Sequence, residues 1–226
     1  CAHIPNILFP NYYNEYSSKR ILTMDFMKGL HLSEYIKKND DQEKLNRLGQ
    51  ALWDFYMHQI HNLKKVHADP HPGNFLINND AQLIALDFGC MKVIPQTFYK
   101  PYFELADNSI INNKERFSEK LYELEILTPN DTKEEVSFFT DMFHDLLSVF
   151  TLPFQKEIFD FSDSDFFGKI GDLAERYSQS SELRKFNSNR GSKHFIYMNR
   201  TFFGLYNLMF DLKAKEVKIN QFQHYK

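Results

Sequence analysis

The sequence predicts a mainly α-helical fold with a small β component. Apolar residues recur at three- and four-residue steps over residues 42–64, which is the pattern of a long amphipathic helix. Similar helical spacing covers most of the chain after Pro95. Two short apolar runs, residues 75–77 and 82–86, flank the turn-forming sequence Asn78-Asn79-Asp80 and predict a β-hairpin.

Shorter elements are predicted on either side of the long helix. Residues 14–18 have the composition of a turn, residues 20–24 predict a short and mostly apolar strand, and residues 33–38 predict a short helix. Directly after the long helix, residues 66–74 contain two prolines, which exclude a helix there and predict a loop.

Three further amphipathic helices are predicted in the second half of the chain. The first covers residues 117–124, the second begins at a capping box formed by Thr132 and Glu135, and the third lies near residues 193–213. Residues 178–190 are polar and predict a loop.

Composition narrows the class of protein. The formal net charge is -3 and no block of Lys and Arg stands out, which argues against a nucleic-acid-binding surface. Two cysteines, Cys1 and Cys90, are too few for a disulfide framework and predict a reducing compartment. No apolar run approaches the ~20 residues that cross a bilayer. The chain begins at Cys1 without an initiator Met or a signal sequence, so we expect a fragment.

Three oxygen-bearing side chains are spaced as phosphoryl transfer requires. Asp69 lies on the proline-rich loop, Asn74 follows at its end, and Asp87 comes after the predicted hairpin. Transfer of phosphate from ATP needs a carboxylate for the acceptor and oxygen ligands for Mg²⁺. The spacing matches the Asp-x-x-x-x-Asn loop and the Asp-Phe-Gly motif of protein kinases. It predicts a protein-kinase-like C-lobe with a helical extension, and ATP and Mg²⁺ as cofactors.

The wording of the loop is more specific than its spacing. Residues 67–74 read His-Ala-Asp-Pro-His-Pro-Gly-Asn, and this octet closely resembles the UbiB family of atypical kinases. Residues 20–29, Arg-Ile-Leu-Thr-Met-Asp-Phe-Met-Lys-Gly, are similar to the hinge of that family. The resemblance is close over residues 1–95 and looser through the later helices, including residues 199–205. It implies an ATP- and Mg²⁺-dependent kinase or ATPase that supports the biosynthesis of ubiquinone-like isoprenoid-quinone lipids.

The resemblance also implies a role for each matching residue. Asp69 corresponds to the catalytic aspartate, and His71 lies where many protein kinases place a lysine near the transferred phosphoryl group. Asn74 and Asp87 correspond to metal ligands, with Asp87 as the principal one. The implied nucleotide-binding positions are Asp25 and Met27, beside adenine at the hinge, and Leu76, under the base.

Domain organisation and partners follow from the same resemblance. Residues 1–28 correspond to the end of an N-lobe and its hinge, residues 29–130 to the catalytic C-lobe, and residues 131–226 to a C-terminal helical extension. The partners implied are a nucleotide, isoprenoid lipids and quinone-biosynthesis enzymes, but no nucleic acid. The implied location is cytoplasmic, with peripheral association with a membrane left open.

The resemblance exposes a gap as well. The phosphate-covering loop, the strand lysine and the Lys-x-Gly-Gln motif of the family belong upstream of the hinge and are not in this sequence. We therefore expect the chain by itself neither to hydrolyse ATP nor to bind it tightly.

Three alternative interpretations stay open at this point. His67, Asp69 and His71 alternate as zinc ligands can, although His144, His194 and His224 supply no further ligand at a suitable spacing. Aminoglycoside and choline phosphotransferases use a related loop, so a small-molecule kinase is a second alternative. The third is a nucleotide-gated scaffold without turnover.

Overall fold

The computed structural model describes residues 1, 3–186 and 190–219. They form two compact units. The first contains residues 1–92, 160–162 and 201–218, and the second contains residues 93–159, the described part of residues 163–200, and residue 219. Helices dominate the described chain, and the predicted mainly α fold with a small β component is confirmed. The predicted boundaries after residues 28 and 130 stay predictions.

A small sheet organises the first unit. The strands in the first part of the chain are β1 (Ile7–Leu8), β2 (Leu30–His31), β3 (Lys65–His67), β4 (Phe75–Ile77), β5 (Leu83–Ala85) and β6 (Met91–Val93). Four of them form one sheet in the order β1, β5, β4, β2. Strands β4 and β5 are antiparallel, with Leu76 opposite Ile84, which confirms the predicted hairpin.

Two helices pack in the same unit, α1 (Leu32–Lys38) and α2 (Gln42–Met57). The side chain of Asp41 caps α2 by accepting a hydrogen bond from the backbone N–H of Lys44. Helix α2 buries the predicted apolar stripe, and Leu48, Leu52 and Tyr56 have no exposed surface. Removing these side chains from water is the main stabilising contribution of the helix.

The last turn of the predicted 42–64 helix has a different geometry. Residues His58–Leu63 form a π-helical turn, and Lys64 ends it in the left-handed region with φ of 51°. The π turn changes which side chains face the core: Gln59 and His61 are buried beside Ile60, whereas Leu63, which the apolar spacing placed on the buried face, is 47% exposed.

Two of the predictions for the first unit need correction. Residues 20–24 are not a continuous strand, since only Ile21 and Met24 make isolated bridges, to Ser18 and Tyr12. A strand needs a partner along its length, and this segment meets one at single positions only. Residues 66–74 are not entirely loop, because β3 occupies its start and Pro72–Asn74 form a 3₁₀ turn. Proline is compatible with that turn at its first position, where no backbone N–H is needed.

The second unit is built from helices. They are α3 (Gln96–Glu104), α4 (Asn108–Ile111), α5 (Lys114–Glu123), α6 (Lys133–Phe150), α7 (Ser164–Ser178), α8 (Ser181–Lys185) and the first part of α9 (Lys193–Asp211). The predicted capping box is present, because Thr132 and Glu135 exchange both hydrogen bonds.

The chain after Pro95 is not wholly helical, and the polar segment is not wholly a loop. A 3₁₀ turn at Leu152–Gln155 and two-residue strands at Ile158–Phe159 and Val217–Lys218 interrupt the helices. Helix α8 lies within residues 178–190, where a loop was predicted. The side chain of Ser180 caps α8 by accepting from the N–H of Leu183, so a polar sequence supplied a helix start.

A buried ion cluster stabilises the second unit. The guanidinium of Arg190 lies 2.6 Å from a carboxylate oxygen of Asp131 and 3.3 Å from one of Glu135. Its central carbon lies 4.0 Å from the centre of the Phe139 ring. Only 7% of the side-chain surface of Arg190 and of Asp131 is exposed, so water has little access to the ion pair. The Arg190 guanidinium holds the pKa of the Asp131 carboxyl below its usual value, even though burial acts in the opposite direction.

Within the described residues, no helix combines the length and apolar character needed to cross a membrane.

Candidate active site

The 67–74 loop is fixed in the first unit by backbone hydrogen bonds. The N–H of Ala68 donates to the carbonyl of Cys90 at 3.0 Å, and the N–H of Leu86 donates to the carbonyl of Asn74 at 3.0 Å. The first bond fixes the residue before Asp69. The second fixes Asn74 against Leu86, the residue before Asp87. The hairpin therefore brings Asp87 back to a loop that lies far from it in sequence.

Asn74 is tied to Asp69 directly. Its side-chain NH₂ donates to the carbonyl oxygen of Asp69 at 3.0 Å, and the N–H of His71 donates to the same carbonyl at 2.8 Å. The two bonds fix the peptide that follows Asp69. Because the NH₂ of Asn74 is used as a donor, the side-chain carbonyl oxygen is the atom of Asn74 that can bind a cation.

Asp87 is exposed and is held by a local turn. Its Oδ1 accepts a hydrogen bond from the N–H of Gly89 at 2.7 Å. A Cβ atom on Gly89 would lie 3.1 Å from that oxygen, closer than an ordinary contact, which explains why a glycine suits this position. The second carboxylate oxygen remains for another ligand.

The imidazole of His67 is influenced by the charges of both Asp69 and Asp87. Burial lowers the pKa of His67, and the negative charges of Asp87 and Asp69 both oppose that effect. Only 1% of His67 is exposed, and its Nε2 has no hydrogen-bond partner within the described chain. The Phe88 ring packs against it with ring centres 6.3 Å apart. Both carboxylates therefore act on one buried ring.

His71 has a structural contact within the loop. Its Nδ1 accepts a hydrogen bond from the N–H of Gly73 at 3.1 Å, which caps the 3₁₀ turn. When the ring is neutral, its proton therefore belongs on Nε2. His71 is exposed, so that N–H is accessible. The catalytic role of His71 stays a prediction.

The carboxylate of the predicted hinge residue Asp25 binds two residues that precede the hinge, Asn11 and Tyr13. Oδ1 accepts from the Tyr13 hydroxyl at 2.7 Å, and Oδ2 accepts from the backbone and side-chain N–H groups of Asn11 at 3.0 and 2.7 Å. These hydrogen bonds, that from Tyr13 first, lower the pKa of Asp25. The N–H of Asp25 also donates to the carbonyl of Asn11. The Asp25 side chain thus holds the segment at Asn11 and Tyr13 against the segment at Asp25.

The structure places Leu76 beside the end of the hinge. A Cβ atom on Gly29 would lie 2.8 Å from the Ile77 carbonyl oxygen and 3.0 Å from the Leu76 Cβ. The chain that follows Met27 therefore passes directly against β4. Met27 is half-buried and Leu76 is 8% exposed, which agrees with a site whose base-binding surface is partly apolar.

The donor set fits Mg²⁺ better than zinc. Asn74 and Asp87 offer hard oxygen atoms, and Mg²⁺ commonly takes one or two carboxylates together with substrate phosphates. Among the described residues, no three His, Cys, Asp or Glu side chains form a group able to hold a metal, and this includes His67, Asp69 and His71. The zinc interpretation of that triplet is therefore wrong. His224 lies outside the described residues.

Two contacts of the loop involve residues that the sequence reasoning missed. A Cβ atom on Gly204 would lie 2.3 Å from the Cγ of Pro70, so α9 approaches the loop as closely as a glycine permits. The side chain of Gln59 accepts a hydrogen bond from the N–H of His67 at 3.0 Å. The sequence contained a hint of each contact. Gly204 interrupts an otherwise apolar helix, and Gln59 is a polar residue on the apolar face of the predicted 42–64 helix.

The family model for the ABC1 atypical kinase-like domain matches residues 1–121. The chain belongs to this family of atypical kinases. The resemblance to UbiB kinases in the 67–74 loop is thereby confirmed. The matched range contains every residue assigned above to the metal, the nucleotide and the acceptor.

Two relatives that carry an aarF domain match part of this chain. An AarF domain-containing protein kinase 1 from Xenopus laevis is 36% identical over 114 residues, 47% of this chain and 22% of its own length. An aarF domain-containing protein kinase of Arabidopsis thaliana chloroplasts is 28% identical over 179 residues, 77% of this chain and 23% of its own length. The chain thus spans about a fifth of the length of these relatives.

A solved structure supports the fold. The complex of Rv3197 with erythromycin from Mycobacterium tuberculosis matches with a TM-score of 0.70 at 16% identity. The match covers 98% of this chain and 52% of that one. The predicted kinase-like fold is confirmed.

Proposed function

We propose that the full-length protein is an ATP- and Mg²⁺-dependent phosphotransferase or ATPase of the UbiB type. The observation that supports this proposal is a set of hydrogen bonds that links the backbone at Asp69 and Asn74 to Leu86, the residue before Asp87, within one compact unit. Asn74 binds the Asp69 carbonyl at 3.0 Å, and Leu86, next to Asp87, binds the Asn74 carbonyl at 3.0 Å. Under the proposal, the loop and the hairpin present these three oxygen-bearing side chains to one nucleotide.

Each of these side chains has a chemical role under the proposal. The Asp69 carboxylate orients the acceptor hydroxyl or water and takes its proton. Asn74 and Asp87 hold Mg²⁺, which when bound neutralises charge that develops on the transferred phosphate. His71 directs its exposed Nε2–H toward the phosphate as a hydrogen-bond donor, in the place of the lysine of ordinary protein kinases.

The hinge segment, residues 20–29, supplies the adenine site under the same proposal. Asp25 keeps the hinge folded through Tyr13 and Asn11, which leaves backbone groups near Met27 to meet the base. Leu76 lies against the chain at Gly29 and provides the apolar surface under the base. The nucleotide is therefore bound mainly by backbone groups and apolar contact, as flat aromatic bases commonly are.

We further propose a role in isoprenoid-quinone lipid biosynthesis, with isoprenoid lipids or quinone-biosynthesis enzymes as partners and peripheral contact with a membrane. The support is the family. Among the relatives is the chloroplastic Protein ACTIVITY OF BC1 COMPLEX KINASE 3 of Arabidopsis thaliana, 28% identical over 144 residues, which cover 63% of this chain and 20% of its own length.

The test uses the full-length protein with ATP and Mg²⁺. Binding of the nucleotide and release of phosphate are measured for the wild type, for Asp87→Asn and for Asp69→Asn. We expect Asp87→Asn to lose turnover and to weaken Mg²⁺-dependent binding, and Asp69→Asn to lose turnover with binding retained. Turnover that survives Asp87→Asn contradicts the proposal.

Two other outcomes separate the alternative functions. Binding without any turnover, with membranes also present, supports a nucleotide-gated scaffold. Transfer of phosphate to a small alcohol or amino sugar in a substrate screen supports a small-molecule kinase.

A further inference from the structure

The π-helical turn after α2 gives Gln59 an unusual pair of contacts. Its side-chain NH₂ donates to the backbone carbonyl of Phe55 at 3.2 Å, and its side-chain oxygen accepts from the N–H of His67 at 3.0 Å. Gln59 and His67 are each 1% exposed. Both bonds are therefore shielded from water, and neither is readily replaced by a solvent molecule.

Where the turn begins, the carbonyl of Phe55 accepts from two groups, the backbone N–H of His58 and the side-chain amide of Gln59. A π turn shifts the backbone hydrogen bonds from four-residue to five-residue spacing, which changes the pairing of the carbonyls where the turn begins. The Gln59 side chain supplies a donor to the carbonyl of Phe55 at that point. The other end of the same amide reaches the start of the 67–74 loop. One side chain thus connects the end of α2 to the segment that carries Asp69.

The loop is fixed there by two successive amides with different partners. The N–H of His67 donates to Gln59, and the next N–H, that of Ala68, donates to the carbonyl of Cys90. Cys90 follows the Asp87-Phe88-Gly89 motif. The residue after these two amides is Asp69. The position of Asp69 relative to Asp87 is consequently set by two hydrogen bonds, one to Cys90 and one to Gln59.

We infer that Gln59 is a positioning residue for phosphoryl transfer, which holds Asp69 in register with Asp87 without touching the substrate. The inference rests on the proposed function for its catalytic consequence. Small displacements of a catalytic group lower the rate of the chemical step far more than they lower ground-state binding. Loss of the Gln59 bonds should therefore appear in kcat and leave nucleotide affinity nearly unchanged.

The main test compares Gln59→Met with Gln50→Met in the full-length protein. Methionine keeps the length and volume of glutamine but lacks both hydrogen bonds. Gln50 lies on α2, which leads into the π turn, and its side-chain amide also binds backbone, since it exchanges two hydrogen bonds with Lys218 at 2.8 and 3.1 Å. It has no bond to the 67–74 loop among those described. We expect Gln59→Met to lower kcat about 10- to 100-fold, with the Kd for Mg-ATP changed less than about 3-fold. Gln50→Met should leave both nearly unchanged.

A second variant adds a pH-dependent signature, which is measured where denaturation curves show that the variant is folded. In Gln59→Glu, a protonated carboxyl can donate to the Phe55 carbonyl and accept from His67, whereas a carboxylate can only accept. The ratio of its kcat to that of the wild type should therefore rise as the pH falls, while the ratio for Gln59→Met should not.

Hydrogen exchange keeps the inference testable if the wild type shows no turnover. The amides of residues 66–69 should exchange at least about tenfold faster in Gln59→Met than in the wild type, and those of residues 42–50 should not change. Absence of wild-type turnover overturns the proposed function alone. Equal kcat in Gln59→Met and the wild type, equal losses in the two methionine variants, or unchanged exchange in the loop overturns the role of Gln59.

Discussion

Gly204 of α9 lies against Pro70 of the 67–74 loop so closely that a side chain cannot be added without movement. A Cβ atom built on Gly204 would be 2.3 Å from the Cγ of Pro70 and 3.2 Å from its Cβ. Pro70 is buried, and its ring cannot rotate away as a flexible side chain does. The loop that carries Asp69 is therefore packed against Gly204, a helical residue 134 positions further along the chain than Pro70.

Substitution Gly204→Ala tests this support. Alanine favours a helix over glycine by about 1 kcal/mol, but overpacking against a rigid neighbour costs about 1–3 kcal/mol. At a separation of 2.3 Å we expect the overpacking to prevail, so the free energy of unfolding should fall and turnover of the full-length protein should decrease.

A matched control is available in α7. A Cβ atom on Gly168 would meet nothing within 4 Å, so Gly168→Ala should raise the free energy of unfolding by about 0.5–1 kcal/mol. Chemical denaturation of both variants measures the difference. A Gly204→Ala variant as stable as Gly168→Ala would show that α9 can move away from the loop at little cost.

The buried ion cluster of the second unit predicts a large asymmetry between two ion pairs. Arg190→Met leaves the Asp131 carboxylate, 7% exposed, without its guanidinium, and we expect a loss of about 3–5 kcal/mol in the free energy of unfolding. Lys185→Met removes an ion pair with Glu134 in which both side chains are more than 60% exposed, and we expect a change below about 1 kcal/mol. Urea titrations of the two variants measure the free energies of unfolding. Similar losses in both would show that the buried Arg190–Asp131 ion pair contributes no more than an exposed one.

The buried imidazole of His61 predicts a loss of stability in acid. Burial lowers the pKa of His61 to about 3 from the usual 6.5. Above pH 6.5 both folded and unfolded states hold the ring neutral, whereas between pH 6.5 and pH 3 only the unfolded state takes up the proton. The free energy of unfolding should therefore decrease as the pH falls through this window, by at most about 1.4 kcal/mol per pH unit from this residue.

The variant His61→Phe checks the origin of that slope. It should reduce the dependence on pH between 6.5 and 3 without abolishing it, because burial also lowers the pKa of His58 and of His67. A slope identical to that of the wild type would mean that His61 accepts a proton in the folded state.

The hydrogen bonds of Asp25 predict an effect on nucleotide binding. Asp25→Ala removes the acceptor for Tyr13 and Asn11, so the hinge segment should lose its fixed shape. In the full-length protein we expect the Kd for ATP to rise about 3- to 10-fold, since the hinge must then be ordered on binding, with kcat changed much less. Tyr13→Phe removes one of these bonds and should have a smaller effect in the same direction. Unchanged ATP affinity in Asp25→Ala would separate this carboxylate from the nucleotide site.

Local sequence determined much of this protein. Apolar spacing predicted α2 and α9, Thr132 and Glu135 predicted the start of α6, and the order of Asp69, Asn74 and Asp87 predicted the kinase-like fold. These features succeed because they depend on residues within a few turns of helix or one hairpin, where propensity, capping and spacing act directly. The family motif is of the same kind, since its eight residues are contiguous.

Tertiary structure decided the rest, because the deciding contacts join residues that are distant or irregularly spaced. The π turn exists where Gln59 can bridge the Phe55 carbonyl and His67, and the segment 20–24 fails as a strand because it meets partners only at Ile21 and Met24. Likewise, the sequence around Gly204 does not predict that Pro70 is its neighbour. Packing selects among the several conformations that a local pattern permits, and that selection depends on atoms which the pattern does not contain.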